Sequence, residues 1–593
     1  MFNISKIPNS KEIAELFPDK FSTMEGVDVE FSILRKSTEV NIEINDAVYI
    51  TAPNISGVYR ALLNIAIDQK QEKQRFSFRF EFRGFMLDAS RNGVPNVLFL
   101  KEFIVKLALL GCNYISLYTE DTIEIEGKPL IGFGRGRYKS SEILEIVDFG
   151  KQFGITVFPS FQLLGHLEQI LKYEYYSDYK DTHRVLNVDN PKIYDFVKEI
   201  ILFYKKTYKT NLLHIGLDEP WGLGTGNNLK TDATFNPSNL FFKHLKKLSD
   251  ICINCEVEPI IWGDFILGHP EEDTPKLSND LLELLPPEIN ICYWNYFDSE
   301  KKIFNGNIAK LKTISSNIIL APGLHSWNLF SPNIGKVRET MFPLFDAADE
   351  LKESRVLMTF WGDDGAECLI QNSWGAISLY FDACINQENP NTEEVTNLIA
   401  NKKLSFYNHI SDQNFRVNNK VCDFEITPKM MLYDDPVFGL ISKMIADGEL
   451  QKYLTRLNNI ADDENTIILL YRLIFKKMTL QQEIYKSYME ADFETLFKLI
   501  PEIDAFISLM QLFISKYRDD WLKERKLAGF EVLDVRLNGI IARFNTLKSM
   551  LLLFLNRKVA NIEEIELLPC KELQENDLKF YNRIYTRSFS IWN

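Results

Sequence analysis

The chain has 593 residues, a formal net charge of −15 and a hydrophobic content of 46%. At roughly 150 residues per domain, this length predicts several domains, each with its own core. The acidic charge argues against nucleic acid or an anionic membrane as a partner, because both require a basic surface.

The start of the chain and its cysteines predict a cytoplasmic protein. The first ten residues include Pro8 and precede any long apolar run, so they lack the hydrophobic stretch of a secretory signal. No window approaches the ~20 apolar residues of a membrane span. Among eight cysteines, the only close pair is Cys252 and Cys255, and no second pair completes a zinc site. We expect structural thiols in a reducing compartment.

Residues 1–80 predict a small α+β domain. Strand-like runs occupy Val29–Leu34, Val40–Ile44 and Val48–Thr51, and a helical pattern extends over Ile55–Lys70. The segment has no cluster of catalytic side chains, so we expect it to support or position the rest of the protein.

Residues 81–390 alternate between short apolar runs and helical patterns, which predicts an α/β domain. The predicted strands are Gly84–Ala89, Tyr114–Tyr118, Thr156–Phe161, Leu212–Leu217, Glu258–Trp262, Asn290–Trp294, Ile318–Ala321 and Val356–Phe360. The clearest helical patterns are Val97–Leu110, Ser140–Phe153, Pro191–Tyr208, Pro237–Asn254 and Ile334–Leu351. Eight apolar strands separated by helices favour a closed parallel (β/α)₈ barrel, the TIM barrel, over an open sheet.

Residues 391–593 predict an all-helical domain. Apolar residues recur at helical spacing, for example over Phe438–Ala461, Ile467–Ala491 and Phe493–Tyr517, and no further strand is convincing. Trp521 and Arg536 are candidates for a pocket or a subunit contact, but we favour buried packing for Trp521 and a surface ion pair for Arg536.

The end of the fourth predicted strand is the strongest indication of a functional site. Its apolar run stops at Asp218 and Glu219, which Pro220 follows. Neighbouring side chains of a strand point to opposite faces, but a bend at the end of the strand can bring both carboxylates into one pocket. Barrels of this kind place their chemistry at the carboxyl ends of strands. The alternative is that the two acids only open a loop.

Polar and aromatic residues also follow the other predicted strands. They are Asp88–Arg91, Tyr118–Asp121, Gly165–His166, Trp262–Asp264, Trp294–Tyr296, His325–Asn328 and Trp361–Asp364. Taken singly, a buried tryptophan usually belongs to a core. Together these residues predict an acidic pocket with aromatic walls, which suits a sugar, because rings pack on its C–H face while charged groups bind its hydroxyls.

Two other kinds of site are less well supported by the sequence. Asp121, His166, Asp218 and Glu219 are conceivable metal ligands, but histidine is scarce and shows no His-x-His or His-x-x-x-His spacing. No Gly-x-Ser-x-Gly elbow follows a predicted strand, which argues against a serine hydrolase.

The motif His214–Glu219 closely resembles the His-x-Gly-x-Asp-Glu signature of glycoside hydrolase family 20, the β-N-acetylhexosaminidases. Arg83–Gly84, Leu87–Asp88 and Ser90–Arg91 resemble the first barrel strand of that family, Gly165–His166 its Pro-Gly-His turn, and Trp361–Asp363 its last strand. The resemblance covers roughly residues 80–390. The flanking regions are similar to those of bacterial exo-acting members with three domains and no secretion signal.

The resemblance implies a retaining glycosidase without metal or organic cofactor. Glu219 would be the general acid, which protonates the glycosidic oxygen and later takes a proton from water. The nucleophile would be the acetamido oxygen of the substrate itself, giving an oxazolinium intermediate, and Asp218 would orient and stabilise the amide nitrogen.

The resemblance also implies roles in substrate binding. Arg91 would bind the 3- and 4-hydroxyls of the terminal sugar and Asp363 another hydroxyl. His166 with Asp121 resembles a pair that supports the general acid from behind, and Glu120 is the rival for the place of Asp121. The implied aromatic walls are Trp262, Trp294, Trp327 and Trp361.

One departure concerns the tyrosine after strand seven that hydrogen-bonds the acetamido oxygen in many members. Here Ala321–Pro322 leads into Gly323–Trp327, which contains no tyrosine, and we take Tyr296 as the substitute. The expected partner is an oligosaccharide ending in β-linked N-acetylglucosamine or N-acetylgalactosamine, and a homodimer is compatible with the sequence. A catalytically silent sugar-binding protein and a metal-dependent hydrolase on the same barrel stay open as alternatives.

Overall fold

The structure is a computed structural model that describes residues 1–230, 236–268, 289–386, 391–458, 464–578 and 581. It contains a mixed sheet, a closed barrel and a long helical region, in that order along the chain. None of the helices in this part of the chain is both long enough and apolar enough to span a bilayer. All eight cysteines are unpaired, and only Cys570 is exposed.

The N-terminal region forms a seven-stranded sheet with two helices, Ser10–Leu16 and Ile55–Ile67. Its strands are Phe2–Asn3, Phe21–Ser22, Val27–Ile33, Glu39–Ile44, Val48–Ala52, Lys73–Phe78 and Ile385–Asn386. The last strand follows the barrel in sequence and pairs with Ser77 and Phe78, so the chain returns to this sheet. The domain limits at residues 80 and 390 stay predictions.

The predicted eight-stranded parallel barrel is confirmed. Its strands are Phe82–Asp88, Tyr114–Tyr118, Thr156–Ser160, Leu212–His214, Glu258–Trp262, Asn290–Trp294, Ile318–Ala321 and Arg355–Phe360. The first and eighth strands pair from Phe82 with Arg355 to Leu87 with Phe360, which closes the barrel. Side chains that include Met86, Phe158, Trp262 and Ile319 fill its interior, as expected for a packed barrel rather than a pore.

Helices follow the barrel strands, and the longer ones cover the outside of the barrel. They are Val97–Leu109, Ser140–Gln152, Glu168–Leu171, Lys192–Tyr208, Pro237–Asn254, Asp264–Leu267, Lys301–Lys312, Ile334–Leu351 and Trp374–Ala383. Asn96, Asn236 and Asn333 precede three of these helices, and each side chain accepts from the backbone N–H three residues further on. These caps satisfy donors that the first helical turn leaves without partners.

The C-terminal region is almost entirely helical, as predicted. Its helices are Thr392–Ala400, Leu404–Asp412, Pro428–Tyr433, Leu440–Met444, Glu449–Asn458, Thr466–Met489, Phe493–Glu524, Phe530–Leu555, Glu563–Glu566 and Glu575–Leu578. The helix predicted over Phe438–Ala461 is wrong, because Gly448, with φ of 78°, follows a break after Met444. The end of that predicted helix lies outside the described residues. A two-residue strand pair, Val417–Asn418 with Glu425–Ile426, was not predicted.

The two side chains singled out in this region differ in outcome. Trp521 is fully buried and its Nε1 donates to the carbonyl of Lys526 at 2.9 Å, which confirms the packing role. The surface position predicted for Arg536 is wrong, since this side chain is buried and pairs with Asp364 and Glu367 beyond the eighth barrel strand. The helical region therefore contacts the carboxyl-terminal end of the barrel.

Candidate active site

The fourth barrel strand ends at His214, three residues earlier than predicted. The chain still bonds to the fifth strand through the Gly216 carbonyl, and then Gly216 and Leu217 adopt left-handed backbone with φ of 75° each. A Cβ on Gly216 would collide with Oε1 of Gln162, so only glycine fits there. Glu219 also has a positive φ, of 41°. Such strain in non-glycine residues is typical of functional sites, and here it turns consecutive carboxylates toward one pocket.

The carboxylates of Asp218 and Glu219 meet at one imidazole. Nε2 of His166 lies 3.3 Å from Oδ2 of Asp218 and 3.4 Å from Oε2 of Glu219. On the other side of the ring, Nη2 of Arg184 lies 3.2 Å from Nδ1. Because ionised carboxylates can only accept, the two acids favour a proton on Nε2, which both the neutral and the charged imidazole can supply.

Burial and charge oppose each other in this group. Burial alone would raise the pKa of Asp218, but the charge and the contact of His166 outweigh it and lower the pKa below its usual value. Burial disfavours charge on His166, yet the carboxylate of Asp218 and the contacts with both acids raise the pKa of the imidazole. Asp218 is therefore held as a carboxylate beside a hydrogen-bond donor.

Gln162, which the sequence did not single out, fixes the orientation of Asp218. Its Nε2 donates to Oδ1 of Asp218 at 2.7 Å and to the hydroxyl of Tyr118 at 2.9 Å. Its Oε1 accepts from the backbone N–H of Leu217 at 3.2 Å. One buried amide thus ties the third strand's loop to the strained turn of the fourth.

Asp264, after the fifth strand, is a second residue whose role the sequence did not reveal. Its Oδ2 accepts from the backbone N–H of Glu219 at 3.0 Å, and its Oδ1 lies 3.5 Å from Nε1 of Trp294. Burial, then the charge of Asp218 and less strongly that of Glu219, raise the pKa of Asp264 to about 7. A third acid therefore titrates near neutrality beside the pair.

Arg91 is surrounded by carboxylates at the other side of the site. Its guanidinium lies 3.1 Å from Oδ2 of Asp88, 3.3 Å from Oε1 of Glu120 and 3.8 Å from Oδ1 of Asp363. Despite burial, the phenol of Tyr118 and these carboxylates raise the pKa of Arg91. Asp363 is partly exposed, with 41% of its side chain accessible, so this cluster is open on the Asp363 side.

Aromatic rings form a series across the barrel mouth in two groups, which a hydrogen bond from Trp361 to Tyr296 joins. The ring of Trp361 lies 5.9 Å from that of Trp262, and the ring of Tyr296 lies 5.2 Å from Trp294 and 5.0 Å from Trp327. Trp262 is 1% exposed and belongs to the barrel interior as much as to the pocket, whereas Trp294, Trp327 and Trp361 are half-buried. The predicted aromatic residues are thus brought together.

The hydroxyl of Tyr296 lies within this series. It accepts hydrogen bonds from Nε1 of Trp361 and from Oγ1 of Thr359, each at 2.9 Å. The residue is buried, and burial raises the pKa of its phenol, which keeps the hydroxyl protonated. Tyr296 therefore retains a proton to donate.

The structure places Asp121 away from the role expected for it. Asp121 is 1% exposed and pairs with Nε of Arg135 at 2.8 Å, whereas the contacts of His166 are with Asp218, Glu219 and Arg184. Its neighbour Glu120, with φ of 37°, turns toward Arg91 and accepts from the hydroxyl of Tyr118 at 2.7 Å. Of the two rivals, Glu120 is the one that faces the site.

Over the described ranges, the structure contains no group of three or more histidine, cysteine, aspartate or glutamate side chains arranged to hold a metal ion. The acids of the site instead alternate with cationic and amide donors: Asp218 with Gln162 and His166, and Glu120 with Arg91.

Two domain models match the chain in sequence order. Residues 80–321 match the catalytic domain of glycosyl hydrolase family 20, and residues 408–582 match the Glycoside Hydrolase 20C C-terminal domain. Similar curated proteins include hexosaminidase D of Bos taurus, 24% identical over 34% of this chain and 59% of that protein. β-Hexosaminidase A of Caenorhabditis briggsae is 26% identical over 30% of this chain and 37% of its own length. The chain thus spans less than two thirds of these relatives.

Solved structures share the fold. A chitobiase of Flavobacterium johnsoniae superposes with a TM-score of 0.52 at 14% identity, over 99% of this chain and 94% of that one. An exo-β-N-acetylglucosaminidase of family 20 from Vibrio harveyi gives a TM-score of 0.51 at 15% identity, over 67% and 72% of the two chains.

Proposed function

The chain belongs to glycoside hydrolase family 20, and from this premise we propose that it is an exo-acting, retaining β-N-acetylhexosaminidase that uses substrate-assisted catalysis. The observation that carries the proposal is the pair of consecutive carboxylates, Asp218 and Glu219, each within 3.4 Å of Nε2 of His166. A sugar-binding protein without activity has no need of two acids held together against their mutual repulsion.

In the first step, Glu219 donates a proton to the glycosidic oxygen as the bond from that oxygen to C1 breaks. The acetamido oxygen of the same sugar forms a bond to C1, which gives an oxazolinium ring and releases the alcohol. The amide nitrogen becomes positively charged in this ring. Asp218, kept ionised by His166 and oriented by Gln162, stabilises that charge and accepts the N–H hydrogen bond.

In the second step, Glu219 takes a proton from a water molecule whose oxygen attacks C1. The bond from the acetamido oxygen to C1 breaks, and the acetamido group is restored. Two inversions at C1 leave the product with the configuration of the substrate.

Tyr296 is the proposed donor to the acetamido oxygen. Its own oxygen already accepts from Trp361 and Thr359, so its remaining function is to donate. Negative charge on the acetamido oxygen decreases as it attacks C1, and a hydrogen bond of this kind orients the oxygen rather than activating it. The half-buried rings of Trp294, Trp327 and Trp361 would enclose the acetyl methyl group and the face of the sugar.

The proposal of exo-action rests on the residues at the end of the pocket opposite Asp218 and Glu219. Arg91 and Asp363 would bind ring hydroxyls distant from the scissile bond, with Glu120 and Asp88 holding the guanidinium in place. Ring hydroxyls enclosed by these charged groups select the non-reducing end of a glycan, since an internal residue carries a substituent on one of them. The substrate is then an oligosaccharide with terminal β-linked N-acetylglucosamine or N-acetylgalactosamine.

A direct test is the hydrolysis of aryl β-N-acetylglucosaminide, β-N-acetylgalactosaminide and β-glucoside, measured side by side with and without a chelator. The proposal predicts cleavage of the acetamido sugars, little cleavage of the glucoside and no effect of the chelator. Equal rates on the glucoside would remove the neighbouring-group mechanism. Loss of activity with the chelator would favour the metal-dependent hydrolase. If none of the substrates is cleaved, the result would favour the silent sugar-binding protein.

A further inference from the structure

The loop that follows the eighth barrel strand connects the candidate site to the helical region. It begins at Trp361, and Asp363 lies next to Arg91 at 3.8 Å. The following residues Asp364, Gly365 and Ala366 have φ of 55°, 110° and 54°. Three successive left-handed residues, two of them not glycine, are maintained only where surrounding contacts hold the backbone.

On the barrel side, the loop is held by the first strand. The backbone N–H of Gly362 donates to Oδ2 of Asp88 at 3.0 Å, and the same carboxylate oxygen lies 3.1 Å from Nη1 of Arg91. Asp88 therefore fixes both Arg91 and the residue just before Asp363.

On the other side, the loop is held by the helical region. Arg536, from helix Phe530–Leu555, contacts Oδ1 of Asp364 at 2.6 Å and donates to its backbone carbonyl at 2.7 Å. Lys429, from helix Pro428–Tyr433, contacts Oδ2 of Asp364 at 2.7 Å. Each oxygen of the Asp364 carboxylate thus has its own cationic partner.

Glu367 completes the cluster. Its two oxygens lie 2.8 Å from Nζ of Lys429 and 3.1 Å from Nη1 of Arg536, and one accepts from the hydroxyl of Tyr433 at 2.5 Å. The side chains of Lys429 and Glu367 are each only 2% exposed. The two positive and two negative charges neutralise each other in a buried site. Removing one partner there would leave a buried charge without compensation and destabilise the fold. A Cβ on Gly365 would lie 2.6 Å from Nη1 of Arg536, so glycine there permits the close approach.

We infer that the helical domain is a structural part of the sugar site, and that Arg536 and Lys429 are positioning residues which act through Asp364 to place Asp363 beside Arg91. The inference rests on the proposed function, in which Asp363 binds a hydroxyl of the terminal sugar. It assigns a purpose to a domain that contributes none of the proposed catalytic residues. Asp363 is held between two fixed neighbours, one tied to the barrel and one tied to the helices.

A double-mutant cycle on the full chain tests this inference. Arg536→Met removes the guanidinium and keeps an apolar stem of similar length. We expect it to lower kcat/KM on an aryl β-N-acetylglucosaminide about tenfold, mainly through KM. In the Asp363→Ala background the same substitution is expected to change kcat/KM less than twofold, because the group that Arg536 positions is already absent.

The matched control is Lys548→Met, on the same helix, which breaks an exposed ion pair with Asp504. It is expected to leave KM and kcat unchanged in both backgrounds. Asp364→Asn, which keeps the side-chain shape, is expected to reproduce the KM effect and replaces Arg536→Met if that variant does not fold. Circular dichroism and thermal unfolding check the fold of each variant.

The outcomes separate this inference from the proposed function. An inactive but folded wild-type chain would refute the function itself. An active wild type in which the Arg536 and Asp364 effects are equally large with and without Asp363, or are absent, would overturn the positioning role alone. A KM effect that disappears with Asp363 supports it, since a general loss of stability does not depend on that side chain.

Discussion

Nε2 of Gln162 donates to Oδ1 of Asp218 across 2.7 Å, while Oδ2 of the same carboxylate lies 3.3 Å from Nε2 of His166. Both oxygens of Asp218 therefore face donors before any substrate is present. A carboxylate held in this way is preorganised to stabilise positive charge next to it, because it needs no rearrangement when the charge develops.

Asp218→Asn is expected to lower kcat/KM on an acetamido substrate about 10²- to 10³-fold, the usual effect of removing one preorganised electrostatic group. The neutral amide no longer stabilises the positive charge of the oxazolinium ring. Steady-state kinetics with an aryl β-N-acetylglucosaminide measure the effect. Unchanged kinetics in a folded variant would exclude this role of Asp218.

Glu219→Gln is expected to reduce turnover about 10²- to 10⁴-fold on substrates with poor leaving groups, the range for loss of a general acid. The reduction should be smaller for aryl substrates whose leaving groups need no protonation. Rates across aryl glycosides of increasing leaving-group pKa measure this difference. Glu256→Gln, at an exposed position, is the control. A reduction that is independent of the leaving group would argue against the acid assignment.

Tyr296→Phe is expected to lower kcat/KM about 2- to 12-fold, equivalent to roughly 0.5–1.5 kcal/mol for a lost hydrogen bond between neutral groups, because the acetamido oxygen loses the donor that orients it. The fold should persist, since only one oxygen is removed. Tyr293→Phe, three residues earlier on the sixth strand, is a matched control, because its hydroxyl accepts from Asn307 at 2.9 Å, away from the pocket. Equal effects of the two substitutions would show that Tyr296 has no specific role.

Asp264→Asn is expected to alter how stability depends on pH. Burial and the charges of Asp218 and Glu219 raise the pKa of Asp264 to about 7, so between about pH 4 and 7 the folded state binds a proton that the unfolded state has lost. The stability due to the neutral carboxyl is present below pH 4 and is lost as the pH rises through 7. Relative to wild type, the variant should therefore gain on the order of 2–4 kcal/mol between pH 5 and 8.

Thermal or urea unfolding of wild type and Asp264→Asn at several pH values measures this difference. Parallel stability curves for the two proteins would show that Asp264 is already ionised at pH 5. Because the side chain also accepts from the backbone N–H of Glu219, activity is measured alongside to show whether that contact is kept.

The barrel could be predicted from the sequence because its strands are short, mainly apolar runs separated by helical patterns, and seven of them end within one residue of the predicted limit. The fourth strand, Leu212–His214, ends early because Gly216 and Leu217 adopt left-handed backbone, and leucine gives no signal of that conformation. The surface position predicted for Arg536 is wrong for a related reason. Its partner Asp364 is 172 residues distant in sequence, and the helical periodicity around Arg536 does not indicate such a distant partner.

The acid pair and the aromatic wall were predictable because they occupy the ends of strands, where a barrel gathers side chains. The choice between Glu120 and Asp121 depends on the left-handed backbone of Glu120, whose φ is 37°. The spacing of residues along the sequence does not reveal this conformation. Gln162 and Asp264 also stand just after strands, which is the signal that could have identified them. Their roles become visible only through bonds to Asp218 and to the backbone of Glu219.

The most direct test of the central claim varies the nucleophile instead of the protein. Aryl 2-acetamido-β-glucosides that carry zero, one, two or three fluorines on the acetyl methyl group have progressively less electron-rich acetamido oxygens. If that oxygen attacks C1, kcat/KM should fall steeply along the series, by about a hundredfold or more, or ~2.7 kcal/mol. A rate that stays constant across the four substrates would contradict the account, because the bond to C1 would then be made by some other group.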